Sequence, residues 1–416
     1  MSEGIAQRRI VTLDIVRGVA VMGILAMNIV AFAMPEAAYM NPRAYGTESE
    51  IDLVAWAFNF VFIDGKMRGL FSFVFGASML LVIERARAKN ESPASVHFRR
   101  MLWLLVFGFL HYYLIWFGDI LTTYAMIGMV AWLFRNQEPG RLVRWGVALV
   151  GIQALIFALM AIGFFVIGNA ASLPNPDPEA VRQWAQMQQG LGVPTPARLA
   201  DEMALHLGPW SALVHHQLTE KAFAPVTMTM MFACETLGYM LFGMAGLKSG
   251  FFTGAWSDES YRKVATIGFA IGLPAYAIGA WLLWSSGFAV QVLAAVTLFG
   301  TTLFRPVLVV AIAALVILLT RRGGGLVERI AAAGRAAFTN YLGTSILMTA
   351  LFYGWGLGYY GSLSRAELWL VVIAMWILML AWSKPWLERF AYGPFEWLWR
   401  SLARWQPQPM RRPSPA

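Results

Sequence analysis

Runs of about twenty consecutive apolar residues recur along this chain, and no other feature narrows its fold so far. A helix of that length crosses the hydrocarbon core of a bilayer, where every backbone polar group must find its partner inside the protein. Composition agrees. Of 416 residues, 58% are hydrophobic and only 13% are charged, against roughly 25% charged in a soluble domain. A soluble enzyme and a disordered chain are both excluded. The sequence describes an all-α, polytopic integral membrane protein.

The first run extends from Val11 to Met34. Ala31-Phe32-Ala33 imitates a signal-peptidase site, but the run is long for a signal h-region and Asp14 and Arg17 interrupt it, so it reads as a first span. Nine further spans are expected at 67–83, 100–117, 119–134, 144–168, 224–247, 264–285, 301–320, 337–357 and 367–383. The apolar segment 51–63 is too short to cross comfortably. If it crossed, Arg85, Arg87, Lys89, Arg99 and Arg100 would face outward, against the inside bias of basic residues. It therefore reads as an interfacial or re-entrant helix. Ten spans put both termini inside, together with the basic residues of 84–100, 135–144, 248–263 and 321–335. The boundary at 286–304 is the least secure, since a separate span over Phe288–Phe304 would reverse everything after it.

The net charge of +9 thus reports orientation and implies no nucleic-acid partner. Residues 1–405 read as a single transmembrane domain, interrupted by a long outer loop at 169–222 that holds five prolines between Pro174 and Pro196. The Pro-rich tail 406–416 reads as disordered. The single cysteine, Cys234, excludes an internal disulfide and a CxxC metal site.

Charges within the apolar runs are costly, and each is a functional candidate. Asp14 and Arg17 can pair on one face of the first span, and Asn28, eleven residues beyond Arg17, lies on the same face. That stripe is either a ligand route or a helix-end salt bridge plus a packing amide. His111 is the one histidine deep in an apolar run; Trp116 flanks it and Asp119 follows at a turn. An imidazole beside a carboxylate is a candidate general base, and a hydrogen-bonded structural histidine is the alternative. Asp64, Lys66 and Arg68 stand at the outer entrance of the second span, as an anion or substrate site or as interfacial snorkelling. Asn340 and Tyr341 lie in an apolar helix after Gly334-Arg335, and Glu396–Arg400 form an i,i+4 pair. Glu235 is an acid without an evident partner. No Walker loop, GxSxG elbow, HExxH motif or metal-ligand spacing is present.

Six blocks carry a family likeness: residues 13–28 (LDIVRGVAVMGILAMN), 35–46, 66–76, 108–121 (GFLHYYLIWFGDIL), 334–347 (GRAAFTNYLGTSIL) and 392–400 (YGPFEWLWR). In this order they resemble the YeiB-like family of bacterial inner-membrane proteins, a domain of unknown function, over essentially the whole chain. The pattern RGxAxxxxxxxN from Arg17 to Asn28 is similar to that of heparan-alpha-glucosaminide N-acetyltransferase. Acyltransferase-three proteins carry His at the position of Asn28. The resemblance implies a transmembrane acyltransferase-like bundle of roughly ten helices and, by analogy, a homodimer.

The leading expectation is acyl transfer from a cytoplasmic carrier of acyl-CoA type to a periplasmic or outer-leaflet hydroxyl or amine. His111, oriented by Asp119, would be the base or transient acyl acceptor. Asp14, Arg17, Asn340 and Arg400 would hold the donor, and Asn28, Asp64, Lys66, Arg68, Trp116 and Tyr341 would line the substrate route. No covalently bound cofactor and no metal are expected, and membrane lipids are the surrounding partners. The alternative is a transporter or lipid-handling protein without covalent chemistry, in which Asp119 or Glu235 couples to protons. A structural or regulatory partner protein is a third class.

Overall fold

The computed structural model describes residues 9–411, and among them every regular element is helical apart from one isolated β-bridge. Six helical runs are long and apolar enough to cross a membrane. They are α1 (Val11–Ala33); Glu50–Ala88, which contains α3 (Glu50–Phe58) and α4 (Lys66–Ala88); α7 (Pro139–Ala171); α13 (Asp258–Ser285); Val290–Thr320, which contains α14 (Val290–Leu293) and α15 (Thr301–Thr320); and α18 (Arg365–Arg389). A short α2 (Glu36–Met40) follows α1. The expected span 224–247 is two helices, α11 (Ala224–Met231) and α12 (Ala233–Lys248), bent by 63° at Phe232 and counting as a seventh crossing if taken together. The other expected spans are α5 (Pro93–Leu114), whose first half carries Arg99 and Arg100, α6 (Leu121–Ala131) and the 16-residue α17 (Ala337–Phe352). These three stand outside the set that qualifies by length and composition.

Two segments differ from the sequence expectation. Residues 51–63 are not a separate helix: α3 and a π-helical turn at Asn59–Ile63 continue into α4 as a run of 39 residues. The only interruption is at Asp64–Gly65, where Gly65 has φ +68°, a conformation that glycine adopts without penalty. Likewise α14 and a π turn at Ala294–Gly300 continue into α15 over 31 residues, so Phe288–Phe304 is no independent crossing.

Helix α1 is the centre of the bundle. Its most apolar window is 83% buried inside the protein, against 28% for α7, α13 and α18, whose exposed Leu, Ile, Val and Trp side chains face outward as lipid-facing surfaces do. Helix α16 (Gly325–Arg335) crosses α1 at a pair of glycines. A Cβ on Gly18 would strike the carbonyl of Ile330, and one on Gly334 would strike that of Asp14. This close approach brings the polar start of α1 against the α16–α17 junction.

The region 169–222 is helical, not an irregular loop. It forms α8 (Pro178–Leu191), α9 (Pro196–Leu207) and α10 (Trp210–Thr219). Pro178 and Pro196 start the first two helices, at a first-turn position whose N–H is unneeded; Asp177 and Thr195 cap them, and Pro209 precedes the third. These helices cover the end of the bundle where α1 finishes, since Glu202 accepts the backbone N–H of Glu36 at 2.6 Å. Part of the expected disordered tail is ordered. Ala391 N–H donates to Met410 O at 2.8 Å and Trp397 Nε1 to Gln408 O at 2.7 Å, which lays 406–411 against α19 (Pro394–Arg404). Residues 412–416 lie outside the described residues.

Candidate functional site

At the end where α1 begins, a cavity of about 310 Å³ opens between α1, α4, α5, α17 and α19. Arginines 9, 17, 85, 100, 335 and 400 line it, against the carboxylates of Asp14 and Glu396 alone. Its walls are apolar (Phe71, Phe75, Leu104 and Phe338), and Tyr124 and Tyr341 also contribute. Asp14 is bound on both sides, by Arg9 Nε at 2.8 Å and by Arg17 Nη1 at 3.1 Å. Arg17 Nη2 also reaches Ser78 Oγ on α4 at 2.6 Å.

The Glu396–Arg400 surface pair expected from spacing does not form. Glu396 is buried and accepts the N–H groups of Phe338 (2.6 Å) and Thr339 (3.1 Å) at the start of α17. Burial pushes its carboxyl above the usual range. Arg400 instead lies over Tyr392 at 4.6 Å. Burial holds its guanidinium below its ordinary value, and the like charges of Arg17 and Arg404 add to this. A vestibule of about 160 Å³ adjoins the cavity. It shares Arg85, Arg100 and Arg400 with it and adds Lys89 and Arg404 against a single acid, Glu91. So much positive charge at the mouth of an apolar chamber suits an amphiphile with a polyanionic head.

Beyond the cavity floor lies His111, with its side chain fully buried. Nδ1 is 2.9 Å from Asp119 Oδ1, and Asp119 also accepts the N–H groups of Leu121 (3.1 Å) and Thr122 (2.8 Å), fixing it at the start of α6. A carboxylate only accepts, so this bond places a proton on Nδ1; in the neutral imidazole Nε2 then carries the lone pair. Nε2 is buried without a partner. Tyr341 stands between His111 and the cavity. Its ring centroid is 5.2 Å from the imidazole, and its hydroxyl accepts the Ile120 N–H at 3.2 Å. On the other side the Trp116 ring packs edge-on at 6.3 Å. Trp116 stacks on Phe32 at 3.8 Å and lines a second, narrow cavity of about 20 Å³ with Tyr112, His206, Trp210, Gln217 and Tyr353. Gln217 Oε1 and Tyr353 Oη are buried there without partners. The imidazole therefore sits one aromatic ring from each cavity.

The structure gathers Asp14, Arg17, Tyr341 and Arg400 in one chamber, with His111, Asp119 and Trp116 beneath it. The other candidates lie elsewhere. Asn340 is turned away, donating to Ala333 O (3.0 Å) and Ser383 Oγ (3.2 Å) and accepting from Trp382 (2.9 Å). Asn28 is buried but lines neither cavity. Asp64, Lys66 and Arg68 are not an exposed anion site; they face inward. Lys66 is fully buried, donating to the carbonyls of Phe60 (2.8 Å) and Asp64 (3.0 Å) and lying over the Tyr276 ring. Tyr39 donates to Asp64 Oδ1 at 2.9 Å. Arg68 binds Glu235 at 2.6 Å, and Arg305 binds the other oxygen of the same carboxylate. Glu235 is thus no orphan: it ties α4 and α15 to the start of α12. Sequence reasoning missed Arg85, Arg100 and Arg404 as site residues because they counted as loop charges. Their signal was the density of arginine flanking 84–100 and 400–404.

The model of a protein family of unknown function (DUF418) matches residues 247–406. The chain is 32% identical to the uncharacterized protein YeiB of Escherichia coli over 95% of this chain and 96% of that one. It is 34% identical to the uncharacterized protein YxaH of Bacillus subtilis, over 97% and 96%. No solved structure matches the chain. The chain belongs to the YeiB-like family.

Proposed function

We propose that this YeiB-like protein is a transmembrane acyltransferase that crosses a bacterial inner membrane ten times, with both termini in the cytoplasm. It moves an acyl group from an acyl-CoA-type donor to a hydroxyl or amine on the far side. One observation carries the reading: a histidine with a free, buried Nε2 lies one ring from an arginine-mouthed apolar cavity and one ring from a narrow aromatic cavity facing the opposite end.

In this reading the donor phosphates sit in the vestibule among Arg85, Lys89, Arg100, Arg400 and Arg404, and the thioester arm extends along the apolar walls towards Tyr341. Rotation of the Tyr341 ring admits the acyl carbonyl to His111. Nε2 takes the proton of the acceptor as its oxygen or nitrogen attacks the acyl carbon. The C–S bond breaks, and the departing thiolate receives that proton. Asp119 keeps the imidazole in the competent tautomer and stabilises the transient imidazolium.

The test is turnover of acetyl-CoA by protein in nanodiscs, supplied with periplasmic extract, beside calorimetric binding of CoA. His111→Asn is expected to retain CoA binding and lose turnover by at least about 100-fold, the scale of a lost general base. Unchanged turnover in that variant refutes the role of His111. Absence of CoA binding together with solute uptake into proteoliposomes refutes acyl transfer and favours the transporter alternative.

A further inference from the structure

The narrow cavity behind Trp116 is walled by aromatic side chains whose polar tips are committed elsewhere. Tyr112 donates to Lys221 O (3.2 Å), Tyr113 to Ala222 O (2.5 Å), Trp116 to Ala31 O (3.4 Å) and Trp210 to Leu114 O (2.8 Å). These donors are spent on backbone carbonyls, and the rings are held in place by them. Gln217 and Tyr353, 8% and 2% exposed, also line the cavity. Gln217 Oε1 and Tyr353 Oη are buried without a partner. An amide oxygen only accepts, and a phenol oxygen can accept as well as donate. The charges that act on the Tyr353 hydroxyl are two carboxylates, Glu36 and Glu202, and Glu36 also acts on Tyr112. Glu36 shares its charge with Lys221 at 3.5 Å. Glu202 has no cation in contact among the described residues: its side chain takes the Glu36 N–H (2.6 Å) and the Tyr360 hydroxyl (3.5 Å). Arg198 acts on it at longer range and donates to Gln189 O. The cavity volume of about 20 Å³ has room for one water-sized group.

We propose that this cavity binds the primary ammonium head of an amine on the outer side, with Gln217 Oε1 and Tyr353 Oη accepting its N–H groups between the aromatic walls. An ammonium has three donors and can serve both oxygens at once, and aromatic faces attract its charge. The nearby carboxylates favour it over a neutral alcohol of the same size. A trimethylammonium head or a sugar ring is too large for the space. The amine is carried either on a lipid head or on a soluble molecule. The inference rests on the acyl-transfer reading only where it makes this amine the acceptor. As acceptor, the head first gives one proton to the outer solvent, and the free amine then attacks the acyl carbon.

The experiment is calorimetric titration of the full chain in phosphatidylcholine nanodiscs, without CoA, using butylammonium, butanol and tetramethylammonium as probes. Butylammonium is expected to bind at least about tenfold more tightly than either of the others, the scale of one hydrogen bond to a charged group. Tyr353→Phe and Gln217→Met each remove one accepting oxygen and keep the shape of the side chain. Each is expected to weaken butylammonium binding by at least about tenfold. Neither oxygen has a partner in the protein, so both variants are expected to unfold in denaturant as the wild type does. If one variant is unfolded, the other decides. Repeating the titration with phosphatidylethanolamine in the nanodiscs distinguishes the sources: competition supports a lipid amine, and unchanged affinity supports a soluble one. No saturable binding of butylammonium, equally tight binding of butanol, or unchanged affinity in the folded variants overturns the proposal. Failure here with turnover intact leaves acyl transfer standing with a different acceptor; amine binding without turnover keeps this site and refutes acyl transfer.

Discussion

Replacing Arg400 by glutamine separates a ligand-binding arginine from a structural one. Arg400 makes no ion pair among the described residues; its contact is the Tyr392 ring at 4.6 Å, and Arg17 and Arg404 crowd it with like charge. In the empty protein, Arg400→Gln loses a cation–π contact of about 0.5–1 kcal/mol. It also relieves repulsion, so stability is expected to stay within about 1 kcal/mol of wild type. Removing an arginine that balanced a buried carboxylate would instead cost about 3–5 kcal/mol. Binding behaves in the opposite way. A charge-assisted hydrogen bond to phosphate contributes about 1.5–3 kcal/mol, so CoA affinity is expected to fall about 10- to 150-fold. The fall should shrink as salt rises, because the vestibule opens to solvent. The assay is calorimetry with CoA at two salt concentrations, paired with chemical unfolding in the same nanodiscs. A variant that is several kcal/mol less stable and binds CoA as well as wild type would show that Arg400 holds the fold together and that the vestibule is no phosphate site.

Two further predictions concern parts of the molecule away from the cavity. Glu235→Gln leaves Arg68 and Arg305 buried without their shared carboxylate and is expected to cost about 3–5 kcal/mol in chemical unfolding. Adding Arg305→Gln should recover a substantial part; no recovery would show that the pairing is not what stabilises the bend at Phe232. At the α8–α10 end, burial holds His206 below the ordinary histidine value of 6.5 and raises Glu202. The folded state binds the His206 proton less readily than the unfolded chain, so stability should decline as pH falls through 6.5. Glu202 acts in the opposite sense, nearer the carboxylate range. His206→Asn should flatten the upper part of the profile, and an unchanged slope there would exclude His206 as its source.

The His111–Asp119 contact was legible in the sequence because it is local. His111 and Asp119 are eight residues apart across one turn, and a histidine deep in an apolar run has few bland explanations. Asp14 and Arg17 were legible for the same reason. Contacts between distant segments were not. Nothing in the spacing shows that Glu235 sits between Arg68 and Arg305, 167 and 70 residues away. Without that knowledge a buried carboxylate looks like an orphan, and Asp64, Lys66 and Arg68 look like a surface cluster. Proline misled in 169–222, where it starts helices at their first turn, although composition alone reads it as loop. The two π turns were invisible because one extra residue per turn leaves an apolar run apolar. It nevertheless changes whether 51–63 and 288–304 end a helix or prolong it.

The distribution of unsatisfied groups gives an independent reason to look where the cavities meet. A buried polar atom without a partner costs about 1–3 kcal/mol, so a fold leaves few of them. The fully buried carboxylate of Glu235 is instead saturated by two guanidiniums and the Tyr239 hydroxyl. Of the eight buried side-chain atoms left unpaired among the described residues, His111 Nε2 and Thr122 Oγ1 lie at the imidazole and its capped helix, and Gln217 Oε1 and Tyr353 Oη line the narrow cavity behind Trp116. The remaining four are scattered over Asn59, Thr236, Arg305 and Thr344. In the proposed mechanism His111 Nε2 is the atom that takes the acceptor's proton, opposite an Nδ1 held by a carboxylate that two backbone N–H groups fix in place.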